Sequence, residues 1–80
     1  MTAGDAPILP GGTLGVLGGG QLGRMFAAAA VRMGYRVHLF APDAERAPAA
    51  VHAQRTVTAA WDDEEALASF ARGVGAVTLE

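Results

Sequence analysis

Three glycines spaced as Gly18-x-Gly20-x-x-Gly23 are the clearest sign of chemistry in this sequence. In this pattern the first glycine allows a tight turn, the second lets a phosphate approach backbone N–H groups, and the third lets a helix pack closely on a strand. The N-terminus of the following helix adds about half a positive charge. The spacing therefore predicts an anion site, and a turn that binds no ligand is the alternative.

Charged side chains elsewhere could complete this site. Asp43 comes 20 residues after Gly23, where dinucleotide-binding folds place the acid that holds a ribose hydroxyl; an ordinary surface aspartate in a turn is the alternative. Arg24 could reach a phosphate or remain a solvated helix charge. The first interpretation is an NAD site, but the polar Gln21 and the cationic Arg24 at the helix start argue against it.

No group of side chains predicts catalysis or metal binding. The chain has no Cys, which excludes a disulfide framework and a thiolate zinc site. His38 alternates with Val37 and Leu39 on a predicted strand, which is more typical of a packed or surface residue than of a ligand. His52 has no metal-ligand partner at useful spacing, and Ser69 is the only serine. We therefore assign no catalytic residue and no metal ligand.

Length and charge limit the class of protein. The chain has 80 residues, enough for one small domain, and carries a net charge of −2. Six Arg, with no Lys, stand against eight acidic residues, and this negative balance disfavours nucleic-acid binding through a basic face. Three Arg and one Asp lie in residues 1–40, so we expect the anion site there. No apolar run reaches the roughly 20 residues of a membrane span, and no signal peptide is recognisable, so we expect a cytoplasmic protein without a membrane partner.

Alternating strand and helix signals indicate the fold. Residues 1–12 are interpreted as a tail ending in a turn, and residues 13–17, 36–40, 56–58 and 76–79 as strands. The first helix begins at Gln21 and ends at Gly34, with an expected packed face of Leu22, Met25, Phe26, Ala29, Ala30 and Met33.

The second half has weaker helix signals. Pro48 is expected to open a helix of one or two turns. Asp62 is the predicted N-cap of the last helix, with Glu65 three residues later, and Gly73 is its predicted end.

This order predicts an α/β fold, a Rossmann-like half with a four-stranded parallel sheet of order 3-2-1-4 flanked by helices. Strands one and four are then neighbours whose connections leave in opposite directions. The glycine loop and Glu80 are expected to face one another across the crevice at that point. Such a crevice suits a ligand that has both a phosphate and hydroxyl or amino groups.

The segment from Ile8 to Met25 contains Gly-Gly-Gly-Gln-Leu-Gly-Arg-Met and closely resembles the start of N5-carboxyaminoimidazole ribonucleotide synthetases. The similarity continues through 33–37, 41–43 and 47–49 to Glu80. It implies a pre-ATP-grasp domain over residues 13–80, with the ATP-grasp and C-terminal domains absent. It also implies a ligase that uses ATP and Mg²⁺, at sites outside this chain and without NAD, to carboxylate 5-aminoimidazole ribonucleotide with bicarbonate in purine biosynthesis.

The resemblance also implies a binding site and partners. Gly20, Gln21, Leu22 and Gly23 match the loop expected near the ribonucleotide, and Glu80 matches an acid that contacts it in related ligases. The 80-residue chain alone is expected to be inactive, and the full-length enzyme to be a homodimer. Two alternatives stay open: another purine-pathway ATP-grasp enzyme, acting on glycinamide ribonucleotide, and an NAD-binding Rossmann module.

Overall fold

Strands and helices follow one another in the predicted order. The computed structural model describes residues 11–79, so residues 1–10 of the predicted tail and Glu80 lie outside it. The strands are β1 Thr13–Leu17, β2 Arg36–Ala41, β3 Arg55–Thr58 and β4 Ala76–Leu79; the α-helices are α1 Gln21–Arg32 and α2 Glu64–Arg72; and two short 3-10 helices span Ala44–Arg46 and Pro48–His52.

The four strands form one parallel sheet in the order β3-β2-β1-β4. This confirms the predicted α/β architecture and strand order. Because all the strands are parallel, their carboxyl ends meet at one edge of the sheet. Neighbouring residues of a strand point to opposite faces, so on β2 Leu39 joins the cluster that includes Ala27 and Ala30 of α1, whereas Phe40 meets α2.

The face that α1 buries differs from the predicted one. Its buried residues are Gly23, Ala27 and Ala30, whereas Met25 and Met33 are 67% and 65% exposed. The expected packing is therefore wrong for Leu22, Met25 and Met33, whereas Ala30 is buried as predicted. Small residues let the helix axis approach the sheet closely, and the larger side chains lie roughly a quarter turn around the helix, at 3.6 residues per turn.

The core is small and rich in alanine. Its largest fully buried side chains are those of Val16, Val37, Leu39 and Phe40. Six buried alanines belong to one cluster of this core with Val16, Val37 and Leu39: Ala27, Ala30, Ala41, Ala44, Ala47 and Ala49. Three of these lie in or between the two 3-10 helices, so the β2–β3 connection is part of the core.

The N-cap of α2 is Asp63, one residue after the predicted position. Its Oδ1 accepts a hydrogen bond from the backbone N–H of Ala66 at 3.0 Å. The N–H of Asp63 itself donates to the carbonyl of Ala60 at 3.1 Å, which places Asp62 inside a turn. The predicted pairing of Asp62 with Glu65 is therefore wrong, because this turn shifts the start of the helix by one residue.

Aromatic contacts hold α2 on its face of the sheet. The ring of Phe70 meets that of Phe40 edge-on, with centroids 5.4 Å apart. Trp61, before the helix, lies 5.9 Å from Phe40 and is half exposed. Gly15 of β1 makes room for Phe70, since a Cβ at Gly15 would lie 2.8 Å from its Cε2 atom. Within residues 11–79, no helix is long and apolar enough to cross a membrane.

Candidate functional site

The glycine loop joins β1 to α1 at the carboxyl edge of the sheet. Gly18 has a φ of +101°, a conformation that side-chain-bearing residues rarely adopt. Its N–H donates to the carbonyl of Phe40 at 2.9 Å, and the carbonyl of Gly19 accepts from the N–H of Ala49 at 3.0 Å. Backbone bonds to β2 and to the β2–β3 connection therefore fix the loop.

The start of α1 carries no negative group. Gly20 is the N-cap and provides no side-chain hydrogen bond, and the first turn contains no acidic residue. By contrast α2 is capped by Asp63 and has two glutamates in its first turn. Since the N-terminus of a helix has a partial positive charge and N–H groups without intrahelical partners, α1 offers an anion a site that no carboxylate of this turn competes for.

The four predicted site residues at this helix start have different environments. Gln21 and Leu22 are exposed, Gly20 is half-buried, and Gly23 is buried. The carbonyl of Gly20 accepts the N–H of Arg24 at 2.9 Å and so begins the helical hydrogen bonding. Side-chain contact with a ligand is thus available to Gln21 and Leu22, while Gly23 serves the packing of α1 on the sheet.

The end of β4 lies beside the start of the glycine loop. Leu79 is the register partner of Leu17, the residue that precedes Gly18. Glu80 lies outside the described residues, so its predicted position across the crevice stays a prediction. The described part of β4 nevertheless reaches the same edge of the sheet as the loop.

Asp43 lines a different cavity. It follows β2 at the same edge, is exposed, and precedes the 3-10 helix Ala44–Arg46 without capping it through its side chain. The cavity has a volume of about 320 Å³ and is lined by Pro42, Asp43, Glu45, Arg46 and Thr58. None of these residues belongs to the glycine loop. Sequence reasoning did not single out Glu45 and Arg46, because local charge patterns do not show that Thr58 of β3 lies beside them.

A second cavity of about 230 Å³ lies between α2 and strands β2 and β3. Its lining includes His38, Arg55 and Ser69. Burial, followed by the positive charges of Arg55 and Arg36, lowers the pKa of His38 below its ordinary value of 6.5. This shift favours the neutral imidazole of His38. Among residues 11–79, no three His, Cys, Asp or Glu side chains group closely enough to hold a metal ion.

Comparison with known proteins gives a consistent result. The family model described as the ribonucleotide synthetase preATP-grasp domain matches residues 12–80. The N5-carboxyaminoimidazole ribonucleotide synthase of Brucella melitensis is 49% identical over 71 residues, covering 89% of this chain and 19% of that protein. The bifunctional purine synthesis protein of Dictyostelium discoideum is also 49% identical, over 72 residues that cover 89% of this chain and 7% of that protein.

A solved structure shares the same fold. The ADP complex of an N5-carboxyaminoimidazole ribonucleotide synthetase superimposes with a TM-score of 0.87 at 44% identity, over 91% of this chain and 19% of that protein. The chain thus spans about a fifth of the length of the synthases it matches.

Proposed function

The chain belongs to the ribonucleotide synthetase preATP-grasp domain family, and from that membership we propose that it is the N-terminal part of an ATP-dependent ligase of purine biosynthesis. The proposed reaction carboxylates 5-aminoimidazole ribonucleotide with bicarbonate and yields N5-carboxyaminoimidazole ribonucleotide. One observation carries this proposal: the family match runs from residue 12 to residue 80 and so includes the glycine loop and Glu80. The 49% identity to the Brucella enzyme supports it.

We place the ribonucleotide at the start of α1. Its phosphate carries the negative charge that the N–H groups and the helix dipole favour. Gln21 presents an amide with both donors and an acceptor, and Leu22 presents an apolar side chain. Gly20 lets the ligand approach the backbone, and Gly23 lets α1 pack closely on the strand. Glu80, as the acid after β4, would accept hydrogen bonds from a hydroxyl or amino group of the same ligand.

The chemistry of this reaction forms one C–N bond. The amino group of the ribonucleotide attacks the carbonyl carbon of bicarbonate activated as carboxyphosphate, and phosphate leaves while the amine loses a proton. Residues of this chain bind and orient the ribonucleotide for that attack; none is assigned a catalytic role.

ATP and Mg²⁺ belong to the part of the proposed enzyme beyond these 80 residues. The chain has no Lys to pair with nucleotide phosphates. The relative crystallised with ADP is about five times longer than the segment that matches this chain. ATP would supply the phosphoryl group that activates bicarbonate, with Mg²⁺ neutralising its phosphates.

Further parts of the proposal follow from the family. Residues 13–80 are the pre-ATP-grasp domain, residues 1–12 are a tail, and the ATP-grasp and C-terminal domains lie outside this chain. The full-length enzyme is proposed to be a cytoplasmic homodimer, and the 80-residue piece alone to be inactive.

The test measures ADP release by the full-length protein. We expect release only when ATP, bicarbonate and 5-aminoimidazole ribonucleotide are all present, with the carboxylated ribonucleotide as product. Glycinamide ribonucleotide is the matched control, because it shares the ribose phosphate and lacks the imidazole ring. Activity with glycinamide ribonucleotide alone, or tight NAD binding without a response to either ribonucleotide, would overturn the proposal.

A further inference from the structure

Gly19, the middle residue of Gly18-Gly19-Gly20, has a structural requirement that the glycine motif does not explain. The motif requires glycine at 18, 20 and 23, so position 19 is a variable one. The positive-φ glycines in the described residues are Gly11, Gly18 and Gly34. The backbone at Gly19 therefore permits a side chain, and a neighbouring group must be what excludes one.

That neighbour is the methyl group of Ala47. A Cβ at Gly19 would lie 2.5 Å from the Cβ of Ala47 and 3.3 Å from Cδ2 of Leu39. Carbon atoms in contact are normally about 3.5–4.0 Å apart. Any residue larger than glycine at 19 would thus have to separate the loop from Ala47 by about 1 Å. Leu39 can adjust through the end of its side chain, but Ala47 has only its backbone to move.

Ala47 is held firmly in place. It is 5% exposed and lies between the two 3-10 helices in an extended conformation. Pro48, which follows it, has a fixed φ, and the N–H of Ala49 donates to the carbonyl of Gly19 at 3.0 Å. The 3-10 helix Pro48–His52 also packs against α1. The β2–β3 connection therefore touches the glycine loop through a methyl group and a backbone hydrogen bond.

We infer that Ala47 is a positioning residue for the glycine loop, and that its contact with Gly19 sets the loop geometry in which the ribonucleotide binds. The identity of the ligand rests on the proposed function; the steric coupling of residues 19 and 47 does not. Displacing a binding group by about 1 Å can reduce activity by as much as 10²-fold. A methyl group at position 19 should accordingly act on ribonucleotide binding and not on ATP binding.

The experiment is a double-mutant cycle in the full-length protein, with Gly19→Ala, Ala47→Gly and the two combined. We expect Gly19→Ala to raise KM for 5-aminoimidazole ribonucleotide about tenfold or more and to leave KM for ATP unchanged. Adding Ala47→Gly removes the opposing methyl group and should recover most of that loss. A double variant with the same ribonucleotide KM as Gly19→Ala overturns the inference.

A matched control separates loop positioning from general destabilisation. Gly15→Ala also adds a methyl group, four positions before Gly19 in β1. This methyl group would lie on the face of the sheet that α2 covers, 2.8 Å from Cε2 of Phe70. It should lower Tm and leave the ribonucleotide KM unchanged. An equal rise in that KM for Gly15→Ala would show that any crowding has the same effect and would overturn the inference.

Two further outcomes keep the test decisive. If Gly19→Ala does not fold, the double variant with Ala47→Gly decides the question. A folded double variant supports the steric coupling, and an unfolded one overturns it. If the wild-type protein shows no ribonucleotide-dependent ADP release, the proposed function fails. The coupling is then measured as non-additivity of the two substitutions in Tm, and additive effects overturn it.

Discussion

Leu17 of β1 and Leu79 of β4 are register partners in the parallel sheet, although they lie 62 positions apart in the sequence. Phe40 of β2 lies on the other side of Leu17, at the same level. After Leu17 the chain continues into the glycine loop and α1, which covers one face of the sheet. Helix α2 leads to β4 and packs on the opposite face. In open α/β sheets, ligands bind in the crevice where connections diverge in this way.

Gln21→Glu should separate ribonucleotide binding from stability. A carboxylate in the first turn of α1 interacts favourably with the helix dipole, so we expect Tm to stay the same or rise slightly, by the equivalent of about 0.3–1 kcal/mol. The same carboxylate repels a phosphate at the helix start and should raise KM for the ribonucleotide about tenfold. Steady-state kinetics of the full-length protein and thermal unfolding measure the two effects.

The matched control for this charge change is Gln54→Glu. Gln54 is exposed and immediately precedes β3, so it lies at the amino edge of the sheet, away from the glycine loop. It should leave the ribonucleotide KM unchanged. A similar rise in KM for both variants would mean that net charge, and not the position of Gln21, governs binding.

Gly18→Ala should reduce both stability and ribonucleotide binding. The φ of +101° at Gly18 is strained for alanine, and we expect the free energy of unfolding in urea to fall by about 1–3 kcal/mol. Gly34→Ala is the comparison, because Gly34 has a φ of +95° at the end of α1, away from the loop. Both variants should be destabilised to a similar extent, but only Gly18→Ala should raise the ribonucleotide KM. An unchanged KM for Gly18→Ala would argue against binding at this loop.

Asp63→Ala should destabilise α2. It removes the hydrogen bond from the Ala66 N–H to Oδ1, and loss of an N-cap typically costs about 1 kcal/mol in the free energy of unfolding. Asp62→Ala removes the same charge one residue earlier, inside the turn, and should cost much less. Urea unfolding of the 80-residue chain distinguishes them. A larger loss for Asp62→Ala would contradict the cap found here.

Stability should fall as the pH is lowered through 6.5, in part because of His38. Its pKa is lowered in the folded chain by burial and by the charges of Arg55 and Arg36, so the unfolded chain takes up a proton that the folded chain resists. The contribution of His38 to the free energy of unfolding is complete above pH 6.5. It is lost as the pH falls from 6.5 to the lower pKa that His38 has in the folded chain. Urea unfolding from pH 8 to pH 5.5 should show a steeper loss for the wild type than for His38→Gln. Equal slopes would rule out this role.

The sequence alone determined the order of elements, the parallel sheet and the glycine loop. Strand and helix periodicities and the glycine spacing are local properties, and the crossover rules restrict how such elements can assemble. The glycine spacing identified Gly20 and Gly23 in this way, whereas the assignment of Gln21 and Leu22 to a binding site follows from the family resemblance and stays a prediction. Asp43 was correctly placed after β2, but it lines a cavity with Glu45 and Arg46 that local patterns do not define.

Tertiary structure decided which surfaces meet. The stripe of Leu22, Met25 and Met33 is the more hydrophobic face of α1, yet Gly23, Ala27 and Ala30 are buried because small side chains permit a closer approach to the sheet. The need for glycine at position 19 has the same kind of cause. The methyl group of Ala47, 28 positions further along the chain, occupies the space that a side chain at position 19 would need. Sequence periodicity records the polarity of a position, whereas the space available to a side chain depends on residues that only folding brings into contact.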